Sequence, residues 1–270
     1  MRLDKYLCDM GLGTRSEIKK HIRSGRVRVG DIPAKDAGMQ LDGTEPVFFD
    51  GEKIDYEEKT YLMLNKPAGV ITATEDTVQK TVMDIIYSGE GYMVPSDRSD
   101  IYTAAPVDPD TGSDPLISAD CPVFRKDMFP VGRLDIDTEG LLLITNDGDL
   151  SHRLLSPKHH VDKTYYARLD GAVDETTVKA FEAGLDLGDF TSLPAKLKIL
   201  SSADNASEAL VTVTEGKFHQ VKRMFSACGV EVTYLKRLTM GSLKLDDALE
   251  PGCFRRLKEE EVADLCYGQM

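Results

Sequence analysis

Apolar positions recur at helical spacing from the first residues onward. Leu3, Tyr6, Leu7 and Met10 share one face of a helix over residues 2–10, Gly11-Leu12-Gly13 breaks it, and Thr14 suits the N-cap of a second helix over 14–24 that Gly25 ends. The period then changes to two. Val27-Arg28-Val29-Gly30 and the stretch 45–51 alternate as short strands between turn residues, which makes a compact α+β unit of about 55 residues. Acidic Asp55-Tyr56-Glu57-Glu58-Lys59 reads as a linker. Beyond it strands are expected at 61–64, 140–145, 163–169, 195–200, 209–213 and 231–235, and helices at 175–184, 219–228 and 259–265. Strands outnumber helices and do not alternate with them one for one, so a mixed or antiparallel sheet flanked by helices is expected rather than a doubly wound parallel one. The fold class is α+β, divided into a small N-terminal domain with its linker (1–58) and a larger domain (59–270).

A chain of 270 residues can bury a sizeable core. Its net charge of -13 would count against a nucleic-acid partner, because polyanion binding draws on lysine and arginine displacing counterions. The average hides a segregation. Residues 1–30 carry eight Lys/Arg against three Asp/Glu, whereas residues 88–128 carry eight Asp/Glu against three Lys/Arg. That second stretch, with Pro95, Pro106, Pro109, Pro115 and Pro122, is too long and turn-rich for an ordinary connection and is expected to be an acidic surface insertion. Five widely spaced cysteines without a Cys-x-x-Cys argue against a disulfide framework and a thiolate zinc site. The start shows no apolar signal core, and no apolar run approaches the roughly 18 residues of a membrane span. A soluble, cytoplasmic protein is expected.

The stretch least explicable as packing is Phe129-Pro130-Val131-Gly132-Arg133-Leu134-Asp135-Ile136-Asp137-Thr138-Glu139-Gly140, which runs into an apolar strand. It presents an arginine and three carboxylates at a strand mouth. Asp-x-Asp-x-Glu-Gly imitates the opening of a calcium loop, but the twelfth position is Asn146 rather than a bidentate glutamate. Asp135 stands two residues after Arg133 between glycines that let a ligand approach the backbone, and a carboxylate so placed can act as a covalent nucleophile. Glu215-Gly216-Lys217-Phe218-His219-Gln220-Val221-Lys222-Arg223-Met224-Phe225 is a second candidate. On one helix His219, Lys222, Arg223 and Ser226 would share a cationic face, and Phe218, Val221, Phe225 and Cys228 a packing face. In the third, His159-His160 precede Lys163-Thr164-Tyr165-Tyr166; adjacent histidines rarely converge on one metal, and of the two alternating tyrosines one can show a ring to a ligand.

Together these motifs resemble the pseudouridine synthases, in the branch typified by ribosomal small-subunit pseudouridine synthase A. Gly132-Arg133-Leu134-Asp135 with Asp137-Thr138-Glu139-Gly140-Leu141 is similar to the branch's central motif, Lys163-Thr164-Tyr165 to its second, and Glu215 through Met224 to its third. Asn65-Lys66-Pro67-Gly69 is similar to the start of its catalytic domain. Arg2-Leu3-Asp4-Lys5, Thr14-Arg15 and Gly25-Arg26-Val27-Arg28-Val29 resemble an S4-type RNA-binding domain. The likeness spans nearly the whole chain.

The resemblance implies a cofactor-free, metal-free isomerase that converts one uridine of small-subunit (16S) ribosomal RNA to pseudouridine, as a monomer, within an assembly intermediate. Asp135 would attack the flipped uridine at carbon 6 of the base or carbon 1' of the sugar, and Tyr165 would stack on the base. Arg133 would contact the flipped nucleotide or its phosphates, and Lys222 or Arg223 would pair with Asp135. Arg2, Lys5, Arg15, Lys19 and Arg26 would bind RNA. The competing readings are a sibling acting on large-subunit (23S) RNA and a noncatalytic RNA-binding assembly factor. For the basic N-terminal block, Arg15→Ala combined with Lys19→Ala is expected to weaken RNA binding and to lower the slope of log affinity against log salt by about 2. A filter-binding titration from low to moderate salt checks this, and an unchanged slope removes the RNA-facing role.

Overall fold

A computed structural model describes residues 1–93 and 125–267, which form two compact units: residues 1–60 with 125–128, and residues 61–93 with 129–267. Of the acidic insertion expected at 88–128, residues 94–124 lie outside the described residues.

The N-terminal unit follows the periodicity closely. Helices α1 (Leu3–Asp9) and α2 (Arg15–Arg23) precede strands β1 (Val27–Val29), β2 (Ile32–Pro33), β3 (Val47–Phe49) and β4 (Glu52–Ile54), which pair antiparallel in the order β2-β1-β3-β4. Thr14 caps α2 as its spacing predicts: its hydroxyl accepts from the Glu17 N–H while the Glu17 carboxylate accepts from the Thr14 N–H at 2.7 Å. Leu3, Leu7, Ile18, Ile22, Val27, Val47 and Phe49 form the core. The linker expected at residues 55–59 is partly drawn into this unit, because Tyr56 packs on Tyr6 with ring centroids 5.1 Å apart and donates to Asp9 at 3.0 Å. Of the expected RNA-binding residues, Lys5, Arg15 and Lys19 are exposed. Arg2 is paired with Asp4, and Arg26 with Asp50 while lying over the Phe49 ring.

The larger unit comprises β5 (Tyr61–Lys66), α3 (Val82–Ser88), β6 (Phe129–Pro130), β7 (Glu139–Thr145), α4 (Gly148–Leu155), β8 (Lys163–Leu169), α5 (Glu175–Ala183), β9 (Lys196–Ala203), β10 (Ala206–Val213), α6 (Gln220–Ala227), β11 (Val232–Met240), β12 (Leu243–Lys244), β13 (Phe254–Arg256) and α7 (Glu259–Tyr267). Among the described residues its sheet runs β13-β5-β7-β11-β8-β10-β9, antiparallel except where β7 lies parallel to β11, and β6 and β12 add to β7 and β11. The class is therefore α+β with a mixed sheet. β7 is buried along Leu141–Ile144, which is why its sequence is a continuous apolar run instead of an alternation. Leu141 and Leu143 pack with Leu150 and Leu154 of α4 and Leu265 of α7. Elements the periodicity does not announce are the short α3 and α4, fixed by side-chain caps from Thr81 and Asp147, and the C-terminal half of β11.

Where β7 meets β11, Gly140 sits opposite Arg237 at φ +102°, and a Cβ there would stand 2.2 Å from the Arg237 carbonyl oxygen. Arg237 is itself buried and donates from Nε to the Leu141 carbonyl at 2.7 Å. Gly140→Ala is expected to cost roughly 2–4 kcal/mol, since backbone must separate from backbone and the residue keeps a positive φ. A guanidinium chloride unfolding midpoint measures the loss.

Candidate active site

Strand β5 carries Lys66 into the interior of the larger unit. Lys66 is fully buried, and the three N–H donors of its ammonium are shared among the backbone carbonyls of Pro67 (3.0 Å), Asp135 (3.1 Å), Ile136 (3.3 Å) and Thr138 (2.9 Å). Burial pulls its pKa down to about 8, against the opposing attraction of Asp137, Asp135 and Glu139. A buried ammonium is tolerable because carbonyl dipoles replace its water. The geometric consequence falls on the turn between β6 and β7: with its carbonyls drawn inward, the side chains of Asp135, Ile136 and Asp137 point out while Leu134 and Thr138 stay buried.

Other contacts fix the same turn. The Thr138 N–H donates to the Asp135 carbonyl at 3.1 Å, and the Gly69 N–H to the Ile136 carbonyl at 2.7 Å. The Thr72 hydroxyl donates to the Leu134 carbonyl (2.8 Å) and accepts from the Leu134 N–H (3.2 Å). Buried Leu134 anchors the chain immediately before Asp135, whose side chain stays about a quarter exposed.

Asp135 opens onto a shallow, solvent-connected cleft. Tyr165 of β8, Val213 of β10 and Leu235 of β11 form its apolar wall, and Arg133, His219 and Lys222 bring cationic or proton-carrying groups to it. Lys222 Nζ lies 3.4 Å from Asp135 Oδ2 and donates to Asp137 Oδ1 at 2.6 Å, which holds the Asp137 carboxyl below its usual range. His219 Nε2 is 3.5 Å from Asp135 Oδ1. An ammonium, an imidazole and a buried tyrosine thus surround one accessible carboxylate, a set suited to holding a planar, polar ring against a nucleophile.

The structure brings Asp135, Arg133, Tyr165 and Lys222 to one cleft and leaves Arg223 out of it. Arg223 pairs with Asp189, donates to the Leu187 carbonyl at 2.6 Å and lies over the Phe190 ring. The cationic helix face expected from spacing is therefore divided, because His219 is not helical: it is the N-cap of α6 with φ +50°. The expected packing of Phe218 is corrected for the same reason, and Phe218 is 75% exposed. Of the two tyrosines, the buried Tyr165 faces the cleft, while Tyr166 lies near Tyr234 and Arg168. The sequence pattern placed His219 on the cationic face beside Lys222 but assigned no role to Lys66 or Thr72. For Lys66 a signal existed, a lysine closing the apolar run Tyr61-Leu62-Met63-Leu64 immediately before a proline.

The family model described as RNA pseudouridylate synthase matches residues 60–227, and the S4 domain model matches residues 1–47. A Bacillus subtilis (strain 168) protein named uncharacterized RNA pseudouridine synthase YtzG is 42% identical over 97% of both chains. The ribosomal small subunit pseudouridine synthase A of Vibrio cholerae is 38% identical over 98% of this chain and 99% of its own. A solved structure titled as a pseudouridylate synthase superposes with a TM-score of 0.59 at 34% identity, covering 98% of this chain and 99% of its own. Sequence motifs, fold and full-length relatives agree, and the chain belongs to the RNA pseudouridine synthase family, with an S4 domain at its N-terminal end.

Proposed function

We propose that this enzyme isomerises one uridine of small-subunit ribosomal RNA, with Asp135 as the nucleophile. The observation that carries the reading is the Asp135 carboxylate, held outward at the cleft by the Lys66 carbonyl clamp with Lys222 3.4 Å away and Tyr165 in the adjoining wall. The target nucleotide leaves its helix, which costs a few kcal/mol, and stacking on Tyr165 returns about 1–3 kcal/mol of that. Asp135 adds to carbon 6 of the base or to carbon 1' of the sugar, and the glycosidic bond to the base nitrogen breaks. The base turns within the cleft and carbon 5 bonds to the sugar. Carbon 5 loses its proton, the freed base nitrogen takes one up, and the aspartate is released, either from the sugar as carbon 5 bonds to it or from carbon 6 afterwards, so the product is an isomer of the substrate. Lys222 orients Asp135, and exposed Arg133 meets the phosphates at the mouth.

Two features favour the small subunit. His219-Gln220-Val221-Lys222-Arg223-Met224 and the His159-His160 pair before Lys163-Thr164-Tyr165 follow that branch's form, and the Vibrio cholerae relative with that printed name aligns from end to end. The protein works as a cytoplasmic monomer without a cofactor, on RNA in an assembly intermediate, through its N-terminal S4 domain and exposed Lys5, Arg15 and Lys19. Among the described residues no helix is long and apolar enough to cross a membrane.

Base-resolved pseudouridine mapping of both ribosomal RNAs after incubation with wild type and Asp135→Asn tests the reaction and the target together. A single small-subunit site with wild type is expected, with turnover by Asp135→Asn reduced more than about a thousandfold and RNA binding retained. A large-subunit site corrects the target, and persistence of the product with Asp135→Asn removes the nucleophile. The carbonyl clamp generates a second expectation. As pH rises through about 8, Lys66 loses the charge that holds the turn, so the single-turnover rate should fall with that apparent pKa. Because the folded-state value lies below the ordinary 10.5, the unfolded chain binds the extra proton between those limits and this group favours the fold as pH rises. Activity should therefore fall without a drop in thermal midpoint attributable to Lys66. A rate that stays flat across pH 8 would mean that the clamp does not need its charge.

A further inference from the structure

Phe218 has no place in the chemistry described above, yet its position is specific. The Gln220 N–H donates to the Lys217 carbonyl at 3.1 Å, closing a turn with Phe218 and His219 at its corners. Buried Gln220 locks that turn: its Oε1 accepts from the Lys217 N–H at 3.1 Å, and its Nε2 donates to Glu215 Oε1 at 2.7 Å. Glu215 Oε1 in turn accepts from the Leu193 N–H at 2.8 Å. The left-handed backbone of His219, unusual for a residue with a side chain, turns the chain there into α6. A rigid turn thus holds out an aromatic ring that is 75% exposed.

The ring is not isolated. It lies parallel to the His219 imidazole, with centroids 3.8 Å apart and planes at 17°, and His219 Nε2 is 3.5 Å from the Asp135 carboxylate. A stack of two rings therefore stands beside the carboxylate, with Arg133 and Lys217 on the same cleft. Exposing a phenyl ring forgoes its burial energy, and a preformed turn means that little freedom remains to be lost on binding. The occupant whose chemistry fits is a nucleobase: flipping one nucleotide strips its neighbour of a stacking partner, and a flat ring beside cationic groups accepts any base while the cations meet its phosphates.

We propose that Phe218 stacks on the base adjacent to the flipped uridine and holds the RNA open at the cleft. This rests on the reading of Asp135 as the nucleophile of a uridine isomerase. The test uses the ribosomal RNA fragment that wild type modifies, intact and with an abasic site at each neighbour of the target, against wild type, Phe218→Tyr and Phe218→Leu. On intact RNA Phe218→Leu should lower kcat/KM roughly 5- to 150-fold, the range set by one base-aromatic stack, while Phe218→Tyr stays near wild type. On the RNA lacking the stacked base, wild type and Phe218→Leu should converge. Equal rates on intact RNA, or a Phe218→Leu deficit that persists with both abasic substrates, overturn the stacking role and leave the uridine isomerase standing. Wild type forming no pseudouridine in either ribosomal RNA overturns the proposed function, and the role of Phe218 falls with it.

Discussion

The site depends on one buried charge. Lys66 gathers the carbonyl oxygens of Pro67, Asp135, Ile136 and Thr138 around its ammonium, and the direction in which Asp135 points follows from that inward turning of the backbone. A hydrophobic residue at position 66 would leave those carbonyls competing for fewer donors in a place with little water, which is a costly condition for buried acceptors. The same charge acts at a distance on the acids that follow, since Asp135, Asp137 and Glu139 all attract it while the surrounding protein pushes it towards neutrality. Loop geometry and local electrostatics thus meet at one residue at the end of a core strand, with Thr72, Gly69 and Lys222 holding the turn and its acids beside it.

Division of labour between neighbouring cations follows from backbone shape. Lys222 and Arg223 are adjacent within α6, and the rotation of about 100° between neighbouring helical residues sends Lys222 towards the two aspartates and Arg223 towards Asp189 and Phe190. An ammonium can serve two carboxylates as a point charge, whereas the planar guanidinium is used where it can bridge a carboxylate, a carbonyl and a ring face. Each cation stands where its shape has a use.

Much of the fold was legible because local rules and tertiary packing agree. The helical spacing of Leu3, Tyr6 and Leu7, the N-cap Thr14, and the alternation over 163–169 each have a single plausible solution, and the structure adopts it. The continuous apolar run at 141–144 was legible as a strand, though not as one flanked by β5 and β11, since buried runs carry no record of their neighbours. Short helices such as 82–88 and 148–155 depend on a cap and on partners remote in sequence, so a local window sees little of them. In the site, the motif around Asp135 stood out because its residues are a poor choice for packing. Lys66 stayed hidden because three of its four carbonyl partners lie about seventy residues further on, and the exposure of Phe218 was missed because the helix-face pattern was extended two residues ahead of α6, which begins at Gln220.

The parallel pairing of β7 with β11 has a consequence for the order in which this molecule comes into being. The N-terminal core is drawn entirely from residues 3–54, so a chain emerging from the ribosome can assemble it early. The larger sheet has no such shortcut: β7 is complete only when residues 236 and 237 arrive beside it, and β5 waits for 254–256 to cover its other edge. Long loops must close before those pairings return any stability, which makes this the slow half of the fold. During synthesis the polypeptide therefore acquires its grip on RNA well before it has an active site to bring to it.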